Sequence, residues 1–294
     1  MKKKKEMSLR TLYKIFIYVV LFALAISIIV PVGWVFLASI KENSEFYGSP
    51  WVMPKGFYFQ NFINAFEKAK MGDYLMNSVT ITAMALVLLL VIALPAAYVL
   101  ARYKFFGSKV INIMFMGGLF INVSYIVVPI FLMLVDADTV ARKILGDGIF
   151  LNNTFIVALV YASTALPFTI YLLSGFFVTI PKDYEEAAYV DGSGYFRTMI
   201  QIMMPMALPS IITVILFNFL AFWNEYVIAL TLLTKDEVKT LPVGLMQLTQ
   251  ASQSKAEYGR LYAGLVIVML PTLILYCLVQ KKLTQGMSLG GLKG

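Results

Sequence analysis

Few residues in this chain are equipped to do chemistry. The 294 residues contain no histidine, which excludes imidazole metal ligation and histidine acid–base catalysis. The one cysteine, Cys277, cannot form an internal disulfide and sits in an apolar run, where it reads as a small apolar side chain. No Gly-Lys pair occurs, so the phosphate-cradling G-x-x-x-x-G-K-[S/T] loop is absent and the chain cannot hydrolyse ATP itself. No nucleophile stands in a pattern with a base. We expect no catalytic residues, no metal and no cofactor. Two groups of polar residues remain: Asn218, Asn224 and Glu225 within a long apolar run, and Asp183, Glu185 and Glu186 at the start of a polar stretch.

An ionisable residue inside a membrane span costs about 2.5–3.5 kcal/mol at the bilayer centre, so it should face the bundle interior or a water-filled path. Asn218 and Glu225 are seven apart and would share one face of a continuous helix. With Asn224 they are candidates for a translocation path. Two other readings of Glu225 stand beside that one: a side chain snorkelling to the outer interface, or a structural pairing.

These residues need apolar elements to hold them. The chain is 60% hydrophobic, and runs long enough to cross a hydrocarbon core of about 30 Å recur along it. The runs predict six spans, at about 13–38, 74–100, 110–135, 152–180, 207–233 and 260–280. The fold class is therefore all-α: a polytopic membrane protein with six transmembrane helices. Between the spans lie an aromatic-rich outer segment at 41–73, an inner loop with Arg102, Lys104 and Lys109, and outer loops at 136–151 and 234–259. The formal net charge of +8 points to the membrane edge and not to nucleic acid. Of the 24 Lys and Arg, fourteen fall on the side of the two termini and ten on the other, which favours both termini in the cytosol. The chain divides into a basic tail, first span and external segment (1–71), a core (72–281) and a C-terminal tail (282–294).

The stretch 181–209 is the longest polar interruption in the second half. Pro181 opens it, and Asp183, Glu185 and Glu186 complement the positive end of a helix dipole. Gly192 supplies the positive φ that stops a helix. A second helical run from Tyr195 to Met204 is expected to end at Pro205. The pair would present an acidic face outside the hydrocarbon.

The spacing resembles a known loop. Glu186-Ala187-Ala188, Gly192 six residues after the glutamate, Ile202 ten after the glycine and Pro205 three after that follow the EAA loop, at 181–205 here. That loop marks the permease subunits of binding-protein-dependent ABC importers. Met204 stands where the family has leucine, a volume-conserving change. The resemblance implies an importer-permease (MetI-like) core preceded by one extra helix. It implies a bacterial cytoplasmic-membrane location, a second permease, two ATPase subunits, an extracytoplasmic solute-binding protein and contact with membrane lipid. In it, Glu186 meets a basic residue of the ATPase, Ala187 and Ala188 permit close approach, Asp191 and Gly192 form the turn, and Ile202 and Pro205 lead back to the membrane. The stretches at 50–66, 96–109 and 222–230 resemble the carbohydrate branch, close to the maltose-type second permease. A polyol or glycerol-phosphate permease, or an ion-coupled secondary transporter, is the alternative.

Overall fold

The structure is a computed structural model describing residues 2–47, 49, 51–255 and 257–290, with side chains between 10 and 280 apart from 48, 50 and 253–256. All regular structure among the described residues is helical. In order it comprises α1 (Lys2–Ser39), α2 (Gln60–Ile63), α3 (Met71–Arg102), α4 (Ser108–Gly118), α5 (Val123–Leu145), α6 (Thr154–Thr179), α7 (Asp183–Val190), α8 (Tyr195–Thr198), α9 (Met204–Met206), α10 (Leu208–Trp223), α11 (Val227–Leu232), α12 (Leu241–Lys255) and α13 (Tyr258–Gly290). Five stretches are long and apolar enough to cross a membrane: 10–39, 71–102, 123–145, 154–179 and 258–280. A sixth crossing would be the pair Tyr195–Met206 and Leu208–Trp223, bent by 75°.

Two compact units make up the chain. The first joins residues up to 70 with 247–267. In it, the buried Asn61 amide donates to the carbonyls of Ser39 (2.9 Å) and Lys41 (2.7 Å), giving partners to backbone groups where α1 ends. Trp34 packs on Trp51, and the Lys41 ammonium lies 4.5 Å from the Trp34 ring centre.

The second unit, 71–246 with the residues from 268 on, holds the polar loop. Its centre is the packing of α3 on α6. Ile81, Ala85, Leu89, Ala93 and Ala97 recur every fourth residue on α3, and all are fully buried. They form one helix face. The alanines let α6 approach, and Ala158, Ala162, Ile170, Leu173 and Phe177 bury from that side. Asn153 starts α6 by accepting from the amides of Phe155 and Ile156.

The structure corrects the third and fifth expected spans. The run 110–135 is not one helix. α4 stops at Gly118, where an added Cβ would lie 2.7 Å from the Pro167 ring on α6. Asn122 then caps α5 by accepting from the Ser124 amide, and the helix continues to Leu145, where Gly146 at φ +85° ends it. Residues 136–145 are therefore helix and not loop. Asp138 is buried among them, accepting from the Phe150 amide and from Arg142. The run 207–233 also breaks: α10 ends at Trp223 and α11 begins at Val227. Pro205 does not end a helix, since the helical path continues through it to Met206.

Candidate functional site

The stretch 181–206 folds locally as its residue types require. The Lys182 carbonyl accepts from the amides of Glu185 and Glu186, opening α7 with three acids in its first turn. At the other end the Gly192 amide donates to the Tyr189 carbonyl (3.0 Å) and the Ser193 amide to the Ala188 carbonyl (2.8 Å). This paired closure requires a left-handed residue, and Gly192 has φ +78°. Gly194 leads into α8, and the Thr198 hydroxyl donates to Ser193 Oγ (3.2 Å).

The three acids do not act alike. Asp183 and Glu186 point outward, whereas Glu185 turns inward with Ala188, three residues on, and both are buried. One Glu185 oxygen accepts from the Tyr98 hydroxyl (2.7 Å). The other accepts from Arg102 Nε (2.8 Å) and Nη2 (2.5 Å). The Arg102 side chain is only 4% exposed, and its Nη1 donates to the carbonyls of Phe177 (3.2 Å) and Ile180 (2.7 Å). One guanidinium thus joins three elements: the end of α3 that carries it, the C-terminal carbonyls of α6, and the first turn of α7. Its planar fork suits this work, which a lysine ammonium could not reproduce.

A hydroxyl line extends the joint. Tyr103 lies 2.9 Å, oxygen to oxygen, from Tyr189 on α7 and 3.4 Å from Tyr98. Burial first, then the bond with Tyr189, push the Tyr103 hydroxyl up to about 12, so it stays protonated at physiological pH. The Tyr195 ring packs on both Tyr98 and Tyr103.

The outer side of the loop is an exposed knob. Tyr184, Glu186, Ala187, Val190 and Asp191 are open to solvent, as are Gly192 and Phe196. Val190 is 88% exposed, although it is apolar. Of the other residues singled out from sequence, Ala188 is buried, Ile202 is half-buried in a π-helical turn, and Pro205 is exposed. The expected acidic face is thus narrower than the composition suggests, because one of its three acids is an internal anchor.

The residues expected along the path are not brought together. Asn218 is buried on α10, donating to Thr169 Oγ1 (3.0 Å) and to the Val214 carbonyl (2.8 Å). Asn224 is exposed and donates to the Leu220 carbonyl. Glu225 lies beyond the end of α10, so it does not share a helical face with Asn218. Its two oxygens accept from the amides of Ile228 (2.9 Å) and Ala229 (3.1 Å), where α11 begins. Of the three readings of Glu225, these bonds are the kind that a structural pairing requires.

Sequence reasoning takes Arg102 for a plain inner-loop charge and misses its link to Glu185. A signal was available: residues 185 and 188 share one side of a helix, so a small inward alanine at 188 implies an inward carboxylate at 185, and that carboxylate needs a buried donor.

Apolar spans around one anchored, outward-facing helix pair define a polytopic membrane component. The chain belongs to the family described as binding-protein-dependent transport system inner membrane component, whose family model matches residues 70–288. It is 34% identical over 266 residues to the diacetylchitobiose uptake system permease protein NgcG of Streptomyces coelicolor, covering 90% of this chain and 84% of that one. It is 30% identical over 258 residues to the melibiose/raffinose/stachyose import permease protein MelC of Bacillus subtilis, covering 87% and 88%. In fold it is similar to a solved bacterial ABC transporter involved in the import of the acidic polysaccharide alginate, with a TM-score of 0.76 and 24% identity over 92% of this chain and 96% of that one. The protein is a multi-pass component of the cytoplasmic membrane.

Proposed function

We propose that this chain is one of two permease subunits that carry a sugar or oligosaccharide across the cytoplasmic membrane, driven by ATP hydrolysis in separate subunits. The sugar reading is supported by the uptake and import names of the relatives. An extracytoplasmic binding protein would deliver the solute, and a second, similar permease would complete the path. Asn224, exposed beyond α10, is the member of the polar trio open to a passing solute. Two ATPase subunits would dock from the cytosol, each on one permease.

The observation that carries the coupling reading is the exposed knob of α7 and α8, with Glu186 and Asp183 outward and Glu185 fixed beneath them. Glu186 would meet a basic ATPase residue, with Tyr184, Val190 and Phe196 supplying apolar contact around it. ATP-driven closure would move this knob and bias the permeases between two states open to opposite sides.

Two measurements test this. Glu186→Lys replaces attraction by like-charge repulsion and should lower ATPase co-purification by about tenfold. Unchanged ATPase occupancy would remove the docking role from this loop. The orientation is tested in a Cys277→Ser background. A cysteine at Val190 should resist impermeant thiol reagents added outside intact cells, and one at the exposed Glu237 should react. Labelling of position 190 from outside would invert the topology.

A further inference from the structure

We propose that Arg102 and Glu185 are the transmission joint of this subunit: they pass displacement of the α7–α8 pair to the ends of α3 and α6. The inference rests on the reading of α7–α8 as the ATPase docking element and adds how its movement enters the spans.

Geometry singles out this pair. A single backbone link, residues 180–182, ties α7 to α6, and by itself this short path leaves the helix free to pivot. Arg102 removes that freedom. It binds the Glu185 carboxylate through Nε and Nη2, and with Nη1 it holds the carbonyls of Phe177 and Ile180. A planar guanidinium engaged at both edges resists rotation as well as translation. Tyr98, from the turn of α3 just before Arg102, binds the second Glu185 oxygen and places its ring edge-on to Phe177 of α6. The joint is nearly dry, with 4% of the Arg102 side chain and 11% of the Glu185 side chain exposed. Charge-assisted bonds shielded from water are electrostatically stronger than exposed ones, and a bidentate pair adds a fixed geometry. The neighbouring acid, Glu186, faces the other way and is exposed. Adjacent glutamates are thus assigned different work: Glu186 to the partner, Glu185 to the spans. Arg102 and Glu185 are positioning residues.

The experiment uses the assembled transporter in vesicles and measures three quantities: ATPase occupancy, thermal unfolding, and sugar molecules moved per ATP hydrolysed. Glu185→Gln and Arg102→Lys should each lower sugar moved per ATP by about tenfold, within the range usual for coupling between two sites. ATPase occupancy should stay near that of the unaltered protein, in contrast to Glu186→Lys. A folding defect is separated by the double variant Arg102→Met with Glu185→Leu. An apolar pair of similar bulk should restore the unfolding temperature, because no charge is left buried alone. It lacks directional bonds to α6, so sugar moved per ATP should remain low. The joint is overturned if the apolar pair restores coupling to the unaltered level, or if Glu185→Gln and Arg102→Lys leave it unchanged. Those outcomes leave docking through Glu186 standing. Full occupancy in Glu186→Lys would instead overturn the docking reading on which the joint rests.

Discussion

Glu185 and Glu225 are both carboxylates at short helices, and both use their two oxygens fully. Their partners differ in reach. Glu185 binds side chains 83 and 87 positions away, on α3. Glu225 binds backbone amides three and four positions ahead. The first therefore fixes the place of one element against two others, while the backbone bonds of the second serve the start of its own helix. An acid between or beside spans is not by itself a mark of a solute path. What it does follows from the sequence distance to its donors.

The comparison is broken most severely at Arg102. Arg102→Met leaves Glu185 buried without its cation, and losing one partner of a buried pair costs about 3–5 kcal/mol. A clear fall in unfolding temperature in detergent is expected, read from near-ultraviolet dichroism of the packed tyrosines. A variant as stable as the unaltered protein would mean that water or another donor reaches Glu185.

Gly192 gives a smaller effect of a different origin. A Cβ there would meet nothing within 4 Å, so the cost of Gly192→Val is backbone strain alone. For a left-handed residue this is about 1–2 kcal/mol. Gly192→Asn should cost less, because asparagine tolerates that conformation. Gly194, also with open space at its Cβ, has φ −76°, and Gly194→Ala should change stability by less than about 0.5 kcal/mol. Equal losses at 192 and 194 in thermal unfolding would rule out strain as the cause.

Local rules made much of the loop legible in the sequence. The acid-rich start of α7 and the positive φ at Gly192 follow from dipole and steric arguments that involve a few neighbouring residues. The apolar runs also identify four of the spans to within a few residues. Breaks inside an apolar run are harder to read. Asn122 and Glu225 each start a helix by accepting backbone amides, but hydropathy stays high on both sides of them, so the run looks continuous. The pairing of Arg102 with Glu185 is harder again, since nothing in the spacing of residues 83 apart says which inner cation meets which acid. Packing of α3 on α6 decides it.

Glu225 gives a smaller effect than Arg102 or Gly192, and the sharpest distinction. Glu225→Gln keeps one oxygen to accept an amide but replaces the other with an amide donor, which cannot serve the second N–H. One of the bonds from Ile228 and Ala229 is lost, and because the site is half-buried, water can take over part of it. Loss of a helix-start acceptor costs about 1 kcal/mol. If Glu225 does no more than hold the start of α11, the variant should unfold slightly earlier and import sugar with unchanged kinetics. A local reporter is available in Trp223, whose indole N–H donates to the Val268 carbonyl at 3.1 Å; its emission should shift little. A several-fold change in sugar affinity without any loss of stability would reverse the assignment. It would mean that the carboxylate leaves its amides when solute arrives, and Glu225 would then belong to the path.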